Sequence, residues 1–307
     1  MESIKWGEFD MSALKTIKPF VYHYPTTIED ALSELASYNG NACLLSGGTD
    51  LILMMKLWLI APEAVISLKN VCGMKGICKD DSFLRIGALT TLTDLHDSEL
   101  IKNEFYAIYD TTVDFSTPQI RNVATIGGNI CRSSPCADGP PPLITLGAKV
   151  RLIGPEGERM VLLENFFTGP GSNVMEGEIL VEVLIPLPST SSGSAYMALA
   201  RNTSDISKVT CAVTVTVNEN KCSEVMIVMG AVAPKIVRAK QAEIIMKGQE
   251  IDDLLIQNAA ESVVHDISPI SDVRSEANYR REVSKVLVNR TIKQAIKRAL
   301  QAEAVLL

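Results

Sequence analysis

Two Gly-Gly pairs constrain this chain more than any other feature. Gly47-Gly48 stands in Leu44-Leu45-Ser46-Gly47-Gly48-Thr49-Asp50-Leu51. Gly127-Gly128 stands in Gln119-Ile120-Arg121-Asn122-Val123-Ala124-Thr125-Ile126-Gly127-Gly128-Asn129-Ile130. Without a Cβ, a backbone can approach a ligand closely and adopt φ values closed to other residues. The first pair lies between the apolar run ACLL and the run LILMMKLWL, so it reads as a short strand turning into a helix. Successive N–H groups in such a turn can face one ligand atom, and the helix end adds partial positive charge that favours phosphate. Thr49 offers a hydroxyl to a ligand or a cap to the helix; Asp50 offers a cap or an acceptor for a ribose hydroxyl. Taken alone, the motif also fits plain loop chemistry.

The second motif is longer and continues as CRSSPCADGPPP. Thr125 and Asn129 flank its glycines, and Asp138 follows a short loop later, placed to accept hydrogen bonds from sugar hydroxyls. Two such loops in one domain can clamp a diphosphate from both sides. Each good charge-assisted hydrogen bond contributes about 1.5–3 kcal/mol, so a few hold a dinucleotide without any lysine. The usual dinucleotide fingerprint G-x-G-x-x-G is absent, as are G-x-x-x-x-G-K-[ST], G-x-S-x-G and H-E-x-x-H. Asp80-Asp81 and Asp252-Asp253 fall at a turn and a helix start, where acid–base work is not expected. No catalytic acid, base or nucleophile is assigned.

The surrounding pattern alternates. Thr27 caps a predicted helix, IEDALSELASY, with Ile28, Ala31, Leu32, Leu35 and Ala36 on one face. AVISL and FLRIGALTTL read as strands, followed by a helix from about Thr93. KVRLIGPEGERMVLL reads as a hairpin around Pro155-Glu156-Gly157, and ILVEVLIPLP as a strand closed by prolines. STSSGS, Ser189 to Ser194, reads as a linker or surface loop. Beyond it come strands in SKVTCAVTVTV and EVMIVMGAV joined at Asn218-Glu219-Asn220, then helices over roughly Asp252–His265 and Ser275–Gln301. In the last helix Val283, Val286, Leu287, Ala295, Ile296, Ala299 and Leu300 form the apolar set. The organisation is α+β: a domain over 1–188 split near 70–75, a linker at 189–194, and a smaller domain over 195–307.

Charge and cysteine usage narrow the function classes. Acidic residues exceed basic ones by 36 to 29, so phosphate-driven binding of nucleic acid is disfavoured. That balance does not oppose a bound diphosphate, which local N–H groups can hold. MESIKWGEFDMSALK has no apolar core of a signal peptide, and LILMMKLWLIAP is broken by Lys56 and Pro62, too short for membrane insertion. The seven cysteines include no C-x-x-C, and His23, His96 and His265 stand far apart. Reduced thiols in a cytoplasmic protein are expected, with no zinc or iron–sulfur site within the chain.

In the same order along the chain, LLSGGTDLILMMK, RIGALTTLTDL, QIRNVATIGGNI, SPCADGPPPLITLGAKV, FFTGPG and GEILVEVLIP resemble the FAD-binding subunit of molybdenum hydroxylases. That family includes xanthine, carbon monoxide and nicotinate dehydrogenases, and the resemblance runs from about Ile17 to the end. It implies two α/β subdomains clamping FAD, in the vanillyl-alcohol-oxidase-like fold, then a small antiparallel sheet with helices. It implies that Leu44, Leu45, Ser46, Gly47, Gly48, Thr49, Asp50 and Leu51 surround the FAD diphosphate. Thr125, Ile126, Gly127, Gly128 and Asn129 would form the second FAD loop, and Asp138 would bind FAD hydroxyls. Phe115 and Val181 enter as cofactor contacts only through the resemblance, and Tyr196 as a residue approaching the isoalloxazine.

The implied role is electron transfer. A partner molybdopterin subunit hydroxylates a substrate, a partner [2Fe–2S] subunit carries the electrons, and FAD in this chain passes them to NAD(P) or another acceptor. Met197 stands where many relatives carry lysine, and Cys131 and Cys136 where they often carry alanine. Two other readings compete: a self-contained flavin oxidoreductase of the same superfamily, and a non-redox dinucleotide-binding assembly module.

Overall fold

A computed structural model describes residues 16–202 and 204–304; the charged N-terminal stretch lies outside the described residues. The first subdomain is a parallel sheet. Strands β1 (Val21–His23), β2 (Ala42–Leu45) and β3 (Ala64–Ser67) lie in the order β1-β3-β2, with helix α1 (Ile28–Ser37) crossing between the first two. Thr27 caps α1 as expected, its hydroxyl accepting from Asp30 N at 3.1 Å. Ala31 enters the core while Ile28, Leu32 and Leu35 pack beside it. The helix after the first glycine motif, α2 (Leu51–Lys56), is shorter than LILMMKLWL suggests. Trp58 takes a positive φ of 57° and turns the chain back toward β3.

The second subdomain begins at β4 (Ile77–Lys79) and β5 (Phe83–Gly87). Thr91 then starts helix α3 (Leu92–Asp97) through a reciprocal capping box with Asp94. Helices α4 (Glu99–Glu104), α5 (Tyr106–Val113), α6 (Pro118–Arg121), α7 (Ile126–Cys131) and α8 (Pro140–Thr145) follow. The chain closes the subdomain with β6 (Lys149–Gly154), β7 (Gly157–Leu162), the small hairpin β8 (Phe167–Gly169) and β9 (Ser172–Asn173), and β10 (Ile179–Pro186). The expected hairpin forms with Gly154 paired to Gly157.

This sheet is antiparallel, in the order β4-β5-β10-β6-β7. The central strand β10 is apolar on both faces because core lies on both sides: Ile179, Leu180, Val181, Val183 and Ile185 are all buried. Each such side chain contributes about 1.5–3 kcal/mol by leaving water. One continuous core joins the two subdomains, reaching from Ala31 and Ile66 to Phe105, Phe166 and Val183.

The third domain departs from the expected boundary. Ser192, Gly193 and Ser194 are no linker: they open strand β11 (Ser192–Leu199). With β12 (Val209–Asn218), β13 (Lys221–Gly230) and β14 (Val237–Arg238) it makes an antiparallel sheet in that order. The β12–β13 turn uses Glu219 and Asn220, both at positive φ, as a tight two-residue hairpin demands. Helices α9 (Lys240–Met246), α10 (Asp253–Ser262) and α11 (Ala277–Ala304) cover one face.

Alternation along β12 sorts its two faces. Val209, Cys211, Val213, Val215 and Val217 meet the helices, while Ala212 meets Ala107 of the second subdomain. Gly193 explains why so weak a strand former opens β11. A Cβ there would lie 2.2 Å from Ala295 O and 2.3 Å from Ala299 N, so α11 lies directly on the strand backbone. Val286 and Leu300 of the expected apolar set face outward instead, at 49% and 44% exposed.

Candidate cofactor site

The first glycine motif leaves β2 at Leu45 and turns sharply at Gly48, whose φ of +79° is the left-handed region that suits glycine. Ile52 N bonds Gly48 O at 3.0 Å, so helical pairing begins one turn before α2 proper. The N–H groups of Gly47, Gly48, Thr49 and Asp50 find no acceptor among the described residues. Neither Thr49 nor Asp50 supplies a side-chain cap; Asp50 instead faces Arg132 at 3.6 Å. An open groove of about 350 Å³ runs along the motif, lined by Gly47, Gly48, Thr49, Ile52, Leu53, Lys56 and Val123. A larger depression at Tyr22–Glu34 lies outside both motifs and carries none of this chemistry.

The second motif meets the first directly. A Cβ on Gly47 would lie 2.1 Å from Val123 O, so the two loops touch backbone to backbone. Thr125 Oγ1 donates to Ser46 Oγ at 3.1 Å and accepts from Gly128 N at 3.1 Å, which caps α7. That leaves the Ser46 hydroxyl proton available to a ligand.

In the second motif Ile126 N bonds Thr90 O and Gly127 N bonds Ala88 O, at 3.0 and 2.9 Å. Those amides anchor the motif to the turn after β5. Asn129 spends its side-chain oxygen on Gly139 N. The second motif therefore shapes the cradle, and the first supplies its free donors.

Asp138 stands at the joint with the third domain. Its Oδ1 accepts from Tyr196 Oη at 2.6 Å and from Ser207 Oγ at 2.8 Å; Oδ2 has no partner among the described residues. Dense packing pushes the carboxyl pKa up, partly offset by those two donors. Burial, with the neighbouring Asp138 charge, raises the Tyr196 phenol well above its ordinary range. Tyr196 is 7% exposed against Ala107 and Ala212, so it acts on the site through Asp138.

The remaining nominated residues divide. Leu44 packs on the main core, Leu45 and Leu51 on a small cluster with Met55 and Val65, and Ile126 is buried. These four build the loops. Phe115 is half-buried, its carbonyl accepting from Arg121. Val181 is 1% exposed at a bulge in β10, and its carbonyl holds Ala88 N at 2.9 Å. It offers no side-chain surface to a cofactor; it fixes the turn on which the second motif rests.

Met197 packs into the third domain's core, on the face of β11 opposite Tyr196. Burial pushes the Cys131 thiol up to about 12 and raises Cys136 as well, so neither is an accessible thiolate. Cys131 Sγ lies 3.7 Å from Met175 Sδ.

Sequence reasoning missed Ser207 and Lys56. The spacing Thr49, Ile52, Lys56 on one helical turn pattern was a usable signal for the lysine. Nothing local marked Ser207, which reaches Asp138 only through the third domain. Among the described residues no His/Cys/Asp/Glu group could hold a metal ion.

A cradle of touching glycine loops, free amides and a half-buried carboxylate, closed by a second sheet domain, suits a dinucleotide-cofactor-binding subunit. Residues 15–188 match the family described as the FAD binding domain in molybdopterin dehydrogenase, and residues 194–295 the CO dehydrogenase flavoprotein C-terminal domain. The carbon monoxide dehydrogenase medium chain of Afipia carboxidovorans is 33% identical over 281 residues, covering 91% of this chain and 98% of that one. The xanthine dehydrogenase FAD-binding subunit of Escherichia coli O157:H7 is 32% identical, covering 90% and 95%. A structure of carbon monoxide dehydrogenase from Hydrogenophaga pseudoflava superposes with a TM-score of 0.90 at 31% identity, covering 92% of this chain and 99% of that one. The chain belongs to the family of FAD-binding medium subunits of molybdenum hydroxylases.

The residues present fit FAD. Four adjacent free N–H groups and the Ser46 hydroxyl suit a diphosphate, the unpaired Asp138 Oδ2 suits a hydroxyl, and a Cβ at Gly128 would intrude to 2.8 Å from Ser46 Oγ.

Proposed function

We propose that this chain is the electron-transferring flavin subunit of a multisubunit molybdenum hydroxylase. It receives electrons from an iron–sulfur partner, fed by a molybdopterin partner, and delivers them to NAD(P) or another acceptor. When bound, FAD supplies a carrier able to take electrons singly and release them in pairs. The protein's own part is binding and orientation. The amides of Gly47 to Asp50 and the Ser46 hydroxyl hold the diphosphate. Thr125, Gly127 and Gly128 keep the second loop close against the first. Asp138 Oδ2 accepts from a cofactor hydroxyl while Tyr196 and Ser207 fix its other oxygen.

The observation that carries this reading is coverage: both domains match, and the chain spans 98% of a medium chain that is one named component of its enzyme. A self-contained flavin enzyme would need a free acid or base near the cofactor. Asp138 is fixed through Oδ1 by Tyr196 and Ser207, and its Oδ2 is assigned to a cofactor hydroxyl rather than to proton transfer. All seven cysteines are free, which suits a cytoplasmic setting, and no described helix is long and apolar enough to cross a membrane. Affinity purification of the tagged chain with metal analysis tests the assembly. Molybdenum and iron in the eluate, with two further polypeptides, are expected. A flavin-containing chain that purifies alone and turns over a substrate unaided would overturn it.

A further inference from the structure

An ion pair between chain segments remote in sequence sits directly behind Tyr196. Arg298, on α11, donates from Nη1 to Asp110 Oδ2 at 2.6 Å and from Nη2 to Asp110 Oδ1 at 2.9 Å. Asp110 belongs to α5 of the second subdomain, so the pair crosses the joint between the second and third domains. Both side chains are largely enclosed, at 18% and 19% exposed. The guanidinium also lies over the Tyr106 ring, 4.9 Å from its centroid. Planar bidentate pairing of this kind fixes orientation as well as charge.

The pair does a second thing. Strand β11 is the edge of its sheet and pairs only with β12, so half its backbone groups face away from the ladder. Asp110 Oδ2 accepts from Tyr196 N at 3.0 Å, and Arg298 Nη1 donates to Ser194 O at 2.8 Å. Ser194 Oγ meanwhile accepts from Ala107 N at 3.3 Å. Carboxylate and guanidinium thus satisfy the strand edge in place of a neighbouring strand. The Tyr196 backbone is held from one side while its hydroxyl reaches Asp138 on the other.

We propose that Asp110 and Arg298 are positioning residues for FAD. They clamp the backbone at Ser194–Tyr196, which sets the Tyr196 hydroxyl on Asp138 Oδ1 and turns Asp138 Oδ2 toward the cofactor. This rests on the assignment of Asp138 to a FAD hydroxyl made above. Losing one partner leaves a charged group in the joint without its counter-ion, and the strand edge loosens. A merely structural joint would lower stability without touching cofactor affinity.

The test is a double-mutant cycle on the full chain, read by FAD affinity from flavin fluorescence and, separately, by thermal unfolding. Arg298→Met is expected to weaken FAD binding about tenfold, and Arg298→Lys by less, because it keeps the charge but loses the fork. In a Tyr196→Phe background, already weakened, Arg298→Met should add little to the loss of affinity while still lowering the unfolding temperature. Affinity within about twofold of wild type in Arg298→Met overturns the proposal, as does full additivity with Tyr196→Phe. If Arg298→Met fails to fold, the same comparisons apply to Arg298→Lys. Wild-type protein that binds no FAD would instead overturn the cofactor assignment on which the proposal stands.

Discussion

Tyr196 Oη donates to Asp138 Oδ1 at 2.6 Å across 58 residues of sequence, joining the first strand of the third domain to the loop beyond the second glycine motif. The third domain therefore contributes directly to the surroundings of Asp138, the carboxylate proposed to meet the cofactor. Ser207, on the turn between β11 and β12, adds a second donor to the same oxygen at 2.8 Å.

Asp138 gives the first prediction. Burial, the largest influence, raises its folded-state pKa above the unfolded value, so the folded protein favours the protonated carboxyl. Stability from this group is present below the unfolded pKa and lost as pH rises through the folded one. At neutral pH the ionised carboxylate is a burden on the fold. Asp138→Asn is expected to raise the unfolding temperature at pH 7, with the gain shrinking as pH falls and gone by about pH 4. FAD affinity should fall about tenfold, since an N–H replaces an acceptor. A variant less stable than wild type at pH 7 contradicts this.

The two glycine loops should respond differently to alanine. At Gly47 the new methyl meets the Val123 carbonyl at 2.1 Å, a backbone atom that cannot swing aside. Overpacking of that kind costs about 3 kcal/mol, seen as a drop in denaturant midpoint. At Gly128 the obstacles are two hydroxyls, Ser46 Oγ and Thr125 Oγ1, which can rotate. Gly128→Ala should therefore cost about 1 kcal/mol of stability yet lose most FAD binding. The reverse ranking would show that the loops are not arranged as described.

Thr125 both caps α7 and bonds Ser46. Thr125→Ala should cost about 1 kcal/mol in urea unfolding, whereas Thr125→Ser, which retains the hydroxyl, should recover most of it. Equal losses in the two variants would remove the hydroxyl from the account.

Alkylation sorts the cysteines. Cys72 and Cys78 are exposed, while burial holds Cys131 and Cys211 near pKa 12. Brief iodoacetamide treatment of the native protein at pH 7, read by mass spectrometry, should label the first two and spare the others. Rapid labelling of Cys131 would mean an open thiol beside the cofactor loop.

Local chemistry was legible in the sequence; contacts between domains were not. The cap at Thr27 and the turns at Pro155-Glu156 and Glu219-Asn220 follow from residues within a few positions of each other. Both glycine motifs and Asp138 were nominated on residue type alone. Strand β11 was missed because SGSAYMAL begins with small polar residues, whose role is set by α11 lying on Gly193. The N–H groups of Ile126 and Gly127 have acceptors that local sequence does not show. Their acceptors, Thr90 O and Ala88 O, lie on a turn that only the tertiary fold brings alongside. Val181 enters as a cofactor contact only through family resemblance; its side chain is enclosed at a bulge in the central strand of the sheet.

The central claim is that Gly47–Asp50 and Asp138 hold a reducible flavin. The direct measurement is the visible spectrum of the purified chain after incubation with FAD and removal of free cofactor, before and after anaerobic reduction. Stoichiometric flavin absorbance that bleaches on reduction, and is lost in Gly128→Trp, is the expected result. No flavin absorbance after reconstitution, or a bound nucleotide without a reducible flavin, would contradict it.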